Sequence, residues 1–322
     1  MLSGPAVITV VGEALIDLVP AGRAGLFEAA PGGSPANVAI GLARLGVPVR
    51  FAARLADDTF GRRLRAHLTD NAVDLSFAIR AQEPTSLAIV QVDSHGGVEY
   101  DFRVQATADW QWSDRELAGI PDEQVVALHT GSLAAALLPG AESIERLVQR
   151  SRASATISYD PNCRPSLMRP REEAIQRIHR FVSLADVVKV SVEDLAWLEP
   201  GRAPADVAAE WLQRGPALVV VTLGADGVLA TARRTGSIFR PGRTVEVADT
   251  VGAGDAFVSA LLGALHQRRL LGAARRQALQ ATGPQMLVEV LDEAILASAL
   301  TCTRRGADPP TRAELCAWLA RD

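Results

Sequence analysis

Cysteine is scarce in this sequence: three cysteines occur among 322 residues, at positions 163, 302 and 316. They lie far apart, form no Cys-x-x-Cys pair and share no zinc-binding spacing with the five histidines. The pattern argues against a disulfide framework or a zinc site and predicts reduced thiols in a cytoplasmic protein. Cys302 and Cys316 are expected on core or helix faces.

Long apolar runs and an excess of basic residues are also missing. No apolar run reaches the roughly 18 residues of a membrane helix. The first twenty residues lack a basic segment and are interrupted by Gly12, Glu13 and Asp17, so they predict a first strand and not a signal peptide. Lys plus Arg is 33 and Asp plus Glu is 37, a net charge of −4, without a basic cluster. We expect no nucleic-acid and no membrane partner.

What the sequence does contain is a repeated alternation of strand and helix patterns. Short β-branched runs predict buried strands separated by amphipathic helices: AVITVVG, VRFAARLA, VVALHTG, SATISYDPN, ADVVKVS and ALVVVTLG. This order predicts an α/β fold, with a mostly parallel central sheet and helices on both faces. No linker divides the chain, so one domain over residues 1–322 is expected.

Two stretches depart from the alternation of strand and helix. Residues 86–104 show two alternating runs joined by DSHGG, which predicts a β-hairpin outside the main sheet. The runs GVLATAR and GSIFRPG predict a second hairpin, and the C-terminal third predicts mainly helix. We therefore expect a small β-sheet excursion, covering approximately residues 13–30 and 86–110, beside the main layers.

The stretch ADTVGAGDAF, residues 248–257, places three small residues directly before a carboxylate and a helical pattern. Glycines allow close backbone approach to a ligand, and the following helix directs unpaired N–H groups and its positive dipole end at the turn. The combination predicts an anion site. Asp255 then has two interpretations, as a base that accepts a hydroxyl proton or as a helix cap. The site is not a Walker A loop, because no lysine follows the glycines.

A second motif, PGGSPANVAIGLARLG, covers residues 31–46. Gly32 and Gly33 permit close backbone approach, and Asn37 lies early in a predicted helix. Its amide both donates and accepts hydrogen bonds, which suits the hydroxyls of a sugar. Taken alone, the motif is equally that of a loop followed by a core helix.

Together the two motifs resemble the signature regions of the ribokinase-like, or phosphofructokinase-B type, sugar kinases. Their order and their separation of about two hundred residues fit that family, and other stretches agree: GEALIDLVP, DPNCRPSL, VTLGADGV and CTRRGADPP. In appearance the chain is most similar to bacterial fructokinases. The resemblance implies a kinase that transfers the γ-phosphoryl of MgATP to a hydroxyl of a small sugar.

The resemblance also assigns residues to the reaction centre and the sugar. Asp255 matches the catalytic base, and Gly252, Ala253 and Gly254 match the anion hole that stabilises the transferring phosphoryl. The positions that match sugar contacts are Asp17, Gly32, Gly33 and Asn37. The excursion that contains residues 86–104 matches a β-lid, which closes over the sugar and forms a homodimer contact.

Nucleotide contacts are expected in the C-terminal half, at the ends of predicted strands. The positions concerned are Lys189, Ser191, Thr222, Gly224 and Gly227. Where the family carries Asn-x-x-Glu to organise Mg²⁺ through water, this chain has SVED, so Asp194 is the expected ligand through water. Asp249 and Val251 match part of the family's monovalent-cation loop, which implies a K⁺ site.

The identity of the sugar stays open among several candidates. DPNCRPSL resembles fructokinases, which gives fructose the lead over 2-dehydro-3-deoxygluconate, ribose or another sugar. Arg103 and Arg164 are the candidate polar contacts, and their convergence in one pocket favours the acid sugar. A nucleoside acceptor is disfavoured because only 5% of residues are aromatic. A sugar-binding regulatory protein without catalysis is the alternative of a different class, and the intact Asp255 with its glycines argues against it.

Overall fold

The architecture is taken from a computed structural model, which describes residues 6–22, 25–92, 98–121 and 124–320. The DSHGG turn of the predicted hairpin lies outside these residues. Most of the short β-branched runs form strands, as their composition predicts. The strands are β1 (Val7–Val11), β2 (Leu15–Pro20), β3 (Phe27–Gly32), β4 (Val49–Ala52), β5 (Arg54–Ala56), β6 (Ile79–Ala81), β7 (Leu87–Val92), β8 (Val98–Arg103), β9 (Val125–Gly131), β10 (Thr156–Asp160), β11 (Val187–Ser191), β12 (Leu218–Thr222), β13 (Gly227–Ala232) and β14 (Gly236–Pro241).

Eight of these strands form the central sheet, in the order β14-β13-β12-β11-β10-β9-β1-β4. The pairs from β12 to β4 are parallel, whereas β13 and β14 add an antiparallel hairpin at one edge. Because β1 lies between β4 and β9, the chain winds in opposite directions on the two sides of β1. In open parallel sheets, ligands bind near such a reversal, beyond the carboxyl ends of the strands.

Helices cover both faces of the central sheet. They are α1 (Ser34–Arg44), α2 (Thr59–Asp70), α3 (Asp114–Leu117), α4 (Gly140–Ser151), α5 (Arg171–Leu184), α6 (Val192–Leu198), α7 (Pro204–Arg214), α8 (Ala253–Gln267), α9 (Arg276–Gln280), α10 (Pro284–Cys302) and α11 (Arg312–Leu319). Among the described residues, no helix combines the length and apolar character that crossing a bilayer requires. The architecture confirms the predicted α/β class.

Two hydrophobic cores hold the helices against the sheet. Along β12, Leu218 and Val220 belong to the core beneath α1, α8 and α10, whereas Val219 and Val221 belong to the core beneath α4, α5 and α7. Successive residues of a strand point to opposite faces, so an uninterrupted apolar run serves both cores. Helix α8 is buried from Asp255 to Leu265, between α1 and α10. This packing fixes the position of its first turn relative to the central sheet.

A separate four-stranded sheet lies beside the main layers, in the order β3-β2-β7-β8. It joins the hairpin predicted at residues 86–104 to the segment after β1, through parallel pairing of β2 with β7. We call this sheet the small sheet. One expectation about the strands was wrong: VRFAARLA is not a single strand. It divides at Ala53 into β4, in the central sheet, and β5, which pairs with β6 in a third sheet.

Candidate active site

Two cavities adjoin each other at the carboxyl ends of the parallel strands. The first cavity, of about 300 Å³, is lined by residues that follow β1, β9 and β10: Glu13, Ser132 and Asn162. The second cavity, of about 450 Å³, is lined by the ends of β11 and β12. Both cavities include Lys189, Thr250 and Gly254 in their walls. A group that passes from one cavity to the other therefore passes these three residues, which we call the junction.

Asp255 lies in the wall of the first cavity, next to the junction. Its carboxylate accepts a hydrogen bond of 2.6 Å from the Ser34 hydroxyl and one of 2.8 Å from the Asn37 amide. Helix α8 is capped by Gly252, without a side-chain hydrogen bond. The structure therefore does not support the interpretation of Asp255 as a helix cap. Instead, the first turns of α1 and α8 meet at this carboxylate and hold it buried beside the cavity.

The glycine loop before α8 has the geometry of an anion site. Gly252 adopts a left-handed conformation, with φ of 76°, and α8 begins at the next residue. The N–H groups of the first helical turn have no partner within the helix, and the positive end of the helix dipole lies there. Gly254 leaves space for the only lysine of the sequence: a Cβ at this position would lie 3.0 Å from Lys189 Nζ. The Ala253 N–H donates to the Thr250 carbonyl at 3.3 Å, so the other N–H groups of this turn and the Lys189 ammonium are the donors at the junction.

Three of the four motif positions predicted to contact a sugar line the first cavity: Asp17, Gly33 and Asn37. Burial raises the pKa of Asp17 to about 6, an effect that the charge of Arg164 limits and that of Asp255 increases. Gly32 is not among the lining residues. A Cβ at Gly32 would overlap the Asp17 carboxylate, so the residue makes room for that side chain.

The two predicted arginine contacts do not converge. Arg164 lines the first cavity, and its guanidinium donates to the Asn162 side-chain oxygen at 2.8 Å and to the Cys163 carbonyl at 2.9 Å. Arg103 lies outside that cavity, where its exposed side chain pairs with Asp101. The prediction of a cavity role for Arg103 is therefore not supported. The physical reason is strand alternation, because neighbouring residues of β8 face opposite sides of the small sheet.

The same alternation brings two aromatic residues to the first cavity that the sequence analysis missed. Tyr100 and Phe102 line it, with their rings stacked at a centroid distance of 5.7 Å and an interplanar angle of 18°. The signal was present in VEYDFR, where aromatic and charged residues alternate. Ser34 was also missed, although it stands three residues before Asn37, at the spacing that places both on one side of a helix.

Two buried acids, one in the wall of the first cavity and one behind it, were not predicted either. Glu13 lines the cavity and accepts a hydrogen bond of 3.1 Å from the Ala134 N–H, and burial raises its pKa to about 7. Asp109 accepts a hydrogen bond of 3.0 Å from the Ala14 N–H and another from the Ser86 hydroxyl. Burial raises the pKa of Asp109 to about 7 as well. Through these contacts, Asp109 ties the segment after β1 to the residue that precedes β7 of the small sheet.

All five residues predicted to contact a nucleotide line the second cavity: Lys189, Ser191, Thr222, Gly224 and Gly227. The cavity continues as an apolar slot between the segment after β14 and α10, with Val247, Ile295 and Cys302 in its walls. A slot with apolar walls that ends at polar groups suits a flat heterocycle linked to phosphates. Cys302 thus belongs to a cavity wall as well as to a helix face.

The predicted metal ligand Asp194 is held behind the cavity walls. It is buried, lines neither cavity, and accepts hydrogen bonds from Cys163 N–H at 2.8 Å and Ser191 N–H at 3.4 Å. Its neighbour Glu193 lines the second cavity instead. No group of three His, Cys, Asp or Glu side chains within the described ranges is arranged to hold a metal alone. Mg²⁺ needs fewer protein ligands than three, since it usually binds one or two carboxylates together with phosphates and water.

The predicted monovalent-cation loop is ordered by Asp249. One carboxylate oxygen accepts the Val251 N–H at 3.1 Å, and the other accepts the Gly306 N–H at 2.8 Å. The carboxylate thereby joins the loop before α8 to the segment after α10. Its oxygens already bind backbone N–H groups.

Comparison with known proteins agrees with this geometry. Residues 6–314 match the model of the pfkB family of carbohydrate kinases. A fructokinase from Klebsiella pneumoniae is 38% identical over 261 residues, which cover 80% of this chain and 84% of that protein. The crystal structure of an ATP-bound fructokinase from Xylella fastidiosa has 31% identity and a TM-score of 0.89, over 98% of each chain.

A second solved structure, a double mutant of the Vibrio cholerae O395 fructokinase, contains fructose, ADP and a potassium ion. It has 29% identity and a TM-score of 0.83, and the match covers 98% of each chain. These matches confirm the ribokinase-like fold and the predicted phosphotransferase class. Since the family model covers nearly the whole sequence, the chain belongs to the pfkB family of carbohydrate kinases.

Proposed function

We propose that this protein transfers the γ-phosphoryl group of ATP to a hydroxyl of fructose. The observation that carries the proposal is the position of Asp255. Its buried carboxylate lies in the first turn of α8, beside the junction of the two cavities. The first cavity then holds the sugar and the second holds the nucleotide. Similar proteins support these two substrates, because one was solved with ATP and another with fructose and ADP.

The chemistry follows from groups that already surround the junction. Asp255 accepts the proton of the attacking sugar hydroxyl, while its bonds to Ser34 and Asn37 hold the carboxylate in place. N–H groups of the glycine loop stabilise the charge on the transferring phosphoryl group, together with the helix dipole. Tyr100 and Phe102 provide apolar surface against the sugar, and closure of the small sheet over it excludes water as a competing acceptor.

ATP would bind in the second cavity as its Mg²⁺ complex. When bound, Mg²⁺ neutralises phosphate charge during transfer. Glu193, the carboxylate on the second cavity's wall, is the side chain that would hold it through water. Asp194, expected in this role from the sequence, supports the wall from behind through its two backbone contacts.

K⁺ is proposed at the loop of Asp249 and Val251. A similar fructokinase was solved with a bound potassium ion, which supports a role for K⁺, and here Asp249 orders the loop directly before α8. Because its oxygens accept N–H groups, backbone carbonyls would supply most of the cation's ligands. We expect K⁺ to raise turnover relative to Na⁺ at equal ionic strength.

Fructose is favoured over an acid sugar because only one of the two candidate arginines lines the first cavity. Arg164 is already engaged by the carbonyls of its own loop, and the Asp17 carboxylate nearby would repel a sugar acid. A coupled ADP-release screen over fructose, 2-dehydro-3-deoxygluconate, ribose, tagatose and nucleosides tests the proposal. The highest kcat/KM is expected for fructose. If none of these compounds caused ADP release, the kinase assignment would be overturned in favour of a binding protein.

Activity should depend on pH through two acids with raised pKa values, the half-buried Asp17 and the buried Asp160. Burial raises the pKa values of Asp17 and Asp160 to about 6, so both lose their negative charge as pH falls below that value. Protonated Asp17 is a poorer acceptor for a sugar hydroxyl, and protonated Asp160 no longer pairs with Lys189. We expect kcat/KM for fructose to be constant above pH 7 and to fall at least tenfold per pH unit well below pH 6. A profile that is flat down to pH 5, with the fold intact by circular dichroism, would contradict this account.

The small sheet is proposed to act as a lid that also forms a homodimer contact. Strand β3 is an edge of that sheet, and two exposed apolar side chains lie at its start: Leu26, directly before the strand, and Phe27, its first residue, which are 54% and 49% exposed. Exposed apolar residues at a strand edge are typical of an association surface. Light scattering should give the mass of a dimer for the wild type and of a monomer for Phe27→Glu. Equal masses for the two proteins would contradict the proposed contact.

A further inference from the structure

The only lysine of the sequence forms a buried ion pair between the two cavities. Lys189 Nζ lies 3.0 Å from an oxygen of Asp160, and the two residues are 6% and 2% exposed. They stand near the carboxyl ends of β10 and β11, which are adjacent parallel strands. A buried ion pair contributes little net stability compared with apolar packing, so its presence at the junction calls for another reason.

The Asp160 carboxylate has a second contact, on the side of the first cavity. Its other oxygen accepts a hydrogen bond of 3.1 Å from the Asn162 N–H, which turns the chain after β10. That turn begins the segment from which Asn162 and Arg164 reach the first cavity. One carboxylate therefore fixes both a wall of the first cavity and the lysine that borders the second.

The charges around Lys189 keep its ammonium protonated. Burial, the largest single influence, would lower the pKa of Lys189, but the charges of Asp160, Asp194 and Asp255 together raise it. The nearby His129 is neutral, because burial lowers its pKa to about 3. Of the three acids, Asp160 is the one that forms a direct hydrogen bond with the ammonium. A permanent cation thus borders the place through which a phosphoryl group passes.

We propose that Asp160 is a positioning residue for phosphoryl transfer: it holds the Lys189 ammonium against the transferring group and couples that position to the sugar-binding segment. The inference rests on the proposed function. Lys189 contacts the phosphoryl oxygens, whereas Asp160 acts through Lys189 and touches neither substrate. A sugar in the first cavity contacts the segment of Asn162 and Arg164. Through Asp160, it then affects the position of the Lys189 ammonium before phosphoryl transfer occurs.

A single lysine makes the inference directly measurable. Growth with [ε-¹³C]lysine gives a protein with one labelled lysine carbon, so one NMR resonance reports the environment and titration of Lys189. The test compares the wild type with Asp160→Asn, which retains an oxygen for the Asn162 N–H and removes the charge. Asp186→Asn is the matched control. Asp186 is also buried, also pairs with a cation and also accepts a backbone N–H, but it lies at the opposite end of β11.

We expect the Asp160→Asn variant to lose about 10- to 100-fold in kcat, with KM for fructose changed less than about threefold. The lysine titration should move to lower pH in this variant, and Asp186→Asn should change neither quantity. In the unaltered protein, fructose alone and Mg²⁺ with ADP should each shift the resonance. The proposal would be overturned if kcat and the pH of the lysine titration were the same in the Asp160→Asn and Asp186→Asn variants.

The wild-type spectra keep the proposal falsifiable even when the Asp160→Asn variant fails to fold. A lysine resonance that moves with neither fructose nor MgADP would overturn it. The proposed function fails separately, through the absence of ADP release by the unaltered protein with fructose. The resonance needs no turnover, so the two failures are distinguishable.

Discussion

Replacement of Asp255 by asparagine is expected to lower kcat by about 10³- to 10⁴-fold, while the Kd for fructose changes less than about threefold. The amide has the shape of the carboxylate but cannot accept a proton from the sugar hydroxyl. Its oxygen can still accept the Asn37 amide, and its nitrogen can donate to the Ser34 hydroxyl, so the two contacts of this side chain survive. Coupled ADP release gives kcat, and calorimetry gives the Kd.

A milder substitution tests the support of Asp255 while the carboxylate itself remains. Ser34→Ala removes one hydrogen bond to Asp255 without removing the carboxylate, so a loss of about tenfold in kcat is expected. Thermal unfolding of each variant checks that its fold is intact. Turnover by Asp255→Asn within about tenfold of the wild type would contradict the role of Asp255 as the base.

Gly252→Ala is expected to lower kcat by about 100-fold or more through displacement of the anion site. A left-handed residue other than glycine costs about 1 to 2 kcal/mol, and Gly252 has a φ of 76°. Strain is only part of the effect, since the added Cβ would lie 2.6 Å from the Ala307 Cβ and 2.8 Å from its Cα. The loop must shift to relieve that contact, and with it the first N–H groups of α8.

Gly46→Ala provides the control for backbone strain. Gly46 has a similar φ of 72° after α1, but no heavy atom lies within 4 Å of the position that an added Cβ would occupy. The substitution should destabilise the protein by about 1 to 2 kcal/mol in chemical denaturation and leave kcat unchanged. Equal kcat values for the Gly252→Ala and Gly46→Ala variants would show that the glycine loop has no part in transfer.

The α/β layers and the glycine turn before α8 were predictable because local sequence encodes them. The β-branched runs specify buried strands wherever they occur, and the alternation with helices selects a parallel sheet. Likewise, Gly252 and Asp255 are close neighbours in the sequence, so their relation is set by one turn and one helix. The five positions predicted to contact a nucleotide line one cavity for a similar reason, since they lie at or just after the ends of predicted strands, which meet at the same side of the sheet.

Properties that depend on tertiary packing were harder to predict. Arg103 was chosen for its charge, but the direction of its side chain depends on which face of β8 covers the cavity. For the same reason, the sequence did not show that Tyr100 and Phe102 face the cavity. Asp194 illustrates a second difficulty, because its contact with the Cys163 N–H joins segments 31 residues apart in sequence and takes the carboxylate out of the cavity wall. Spacing alone gives no sign of such a contact.

Direct transfer between adjoining cavities, with Asp255 as base and not as nucleophile, is the central claim. Its most direct test is the configuration at phosphorus after reaction with fructose and ATP made chiral at the γ-phosphorus with three oxygen isotopes. A single in-line transfer inverts the configuration, and inversion is the result that the two cavities and their shared junction predict. Retention would mean two successive transfers through a phosphorylated residue, and it would contradict the role given to Asp255.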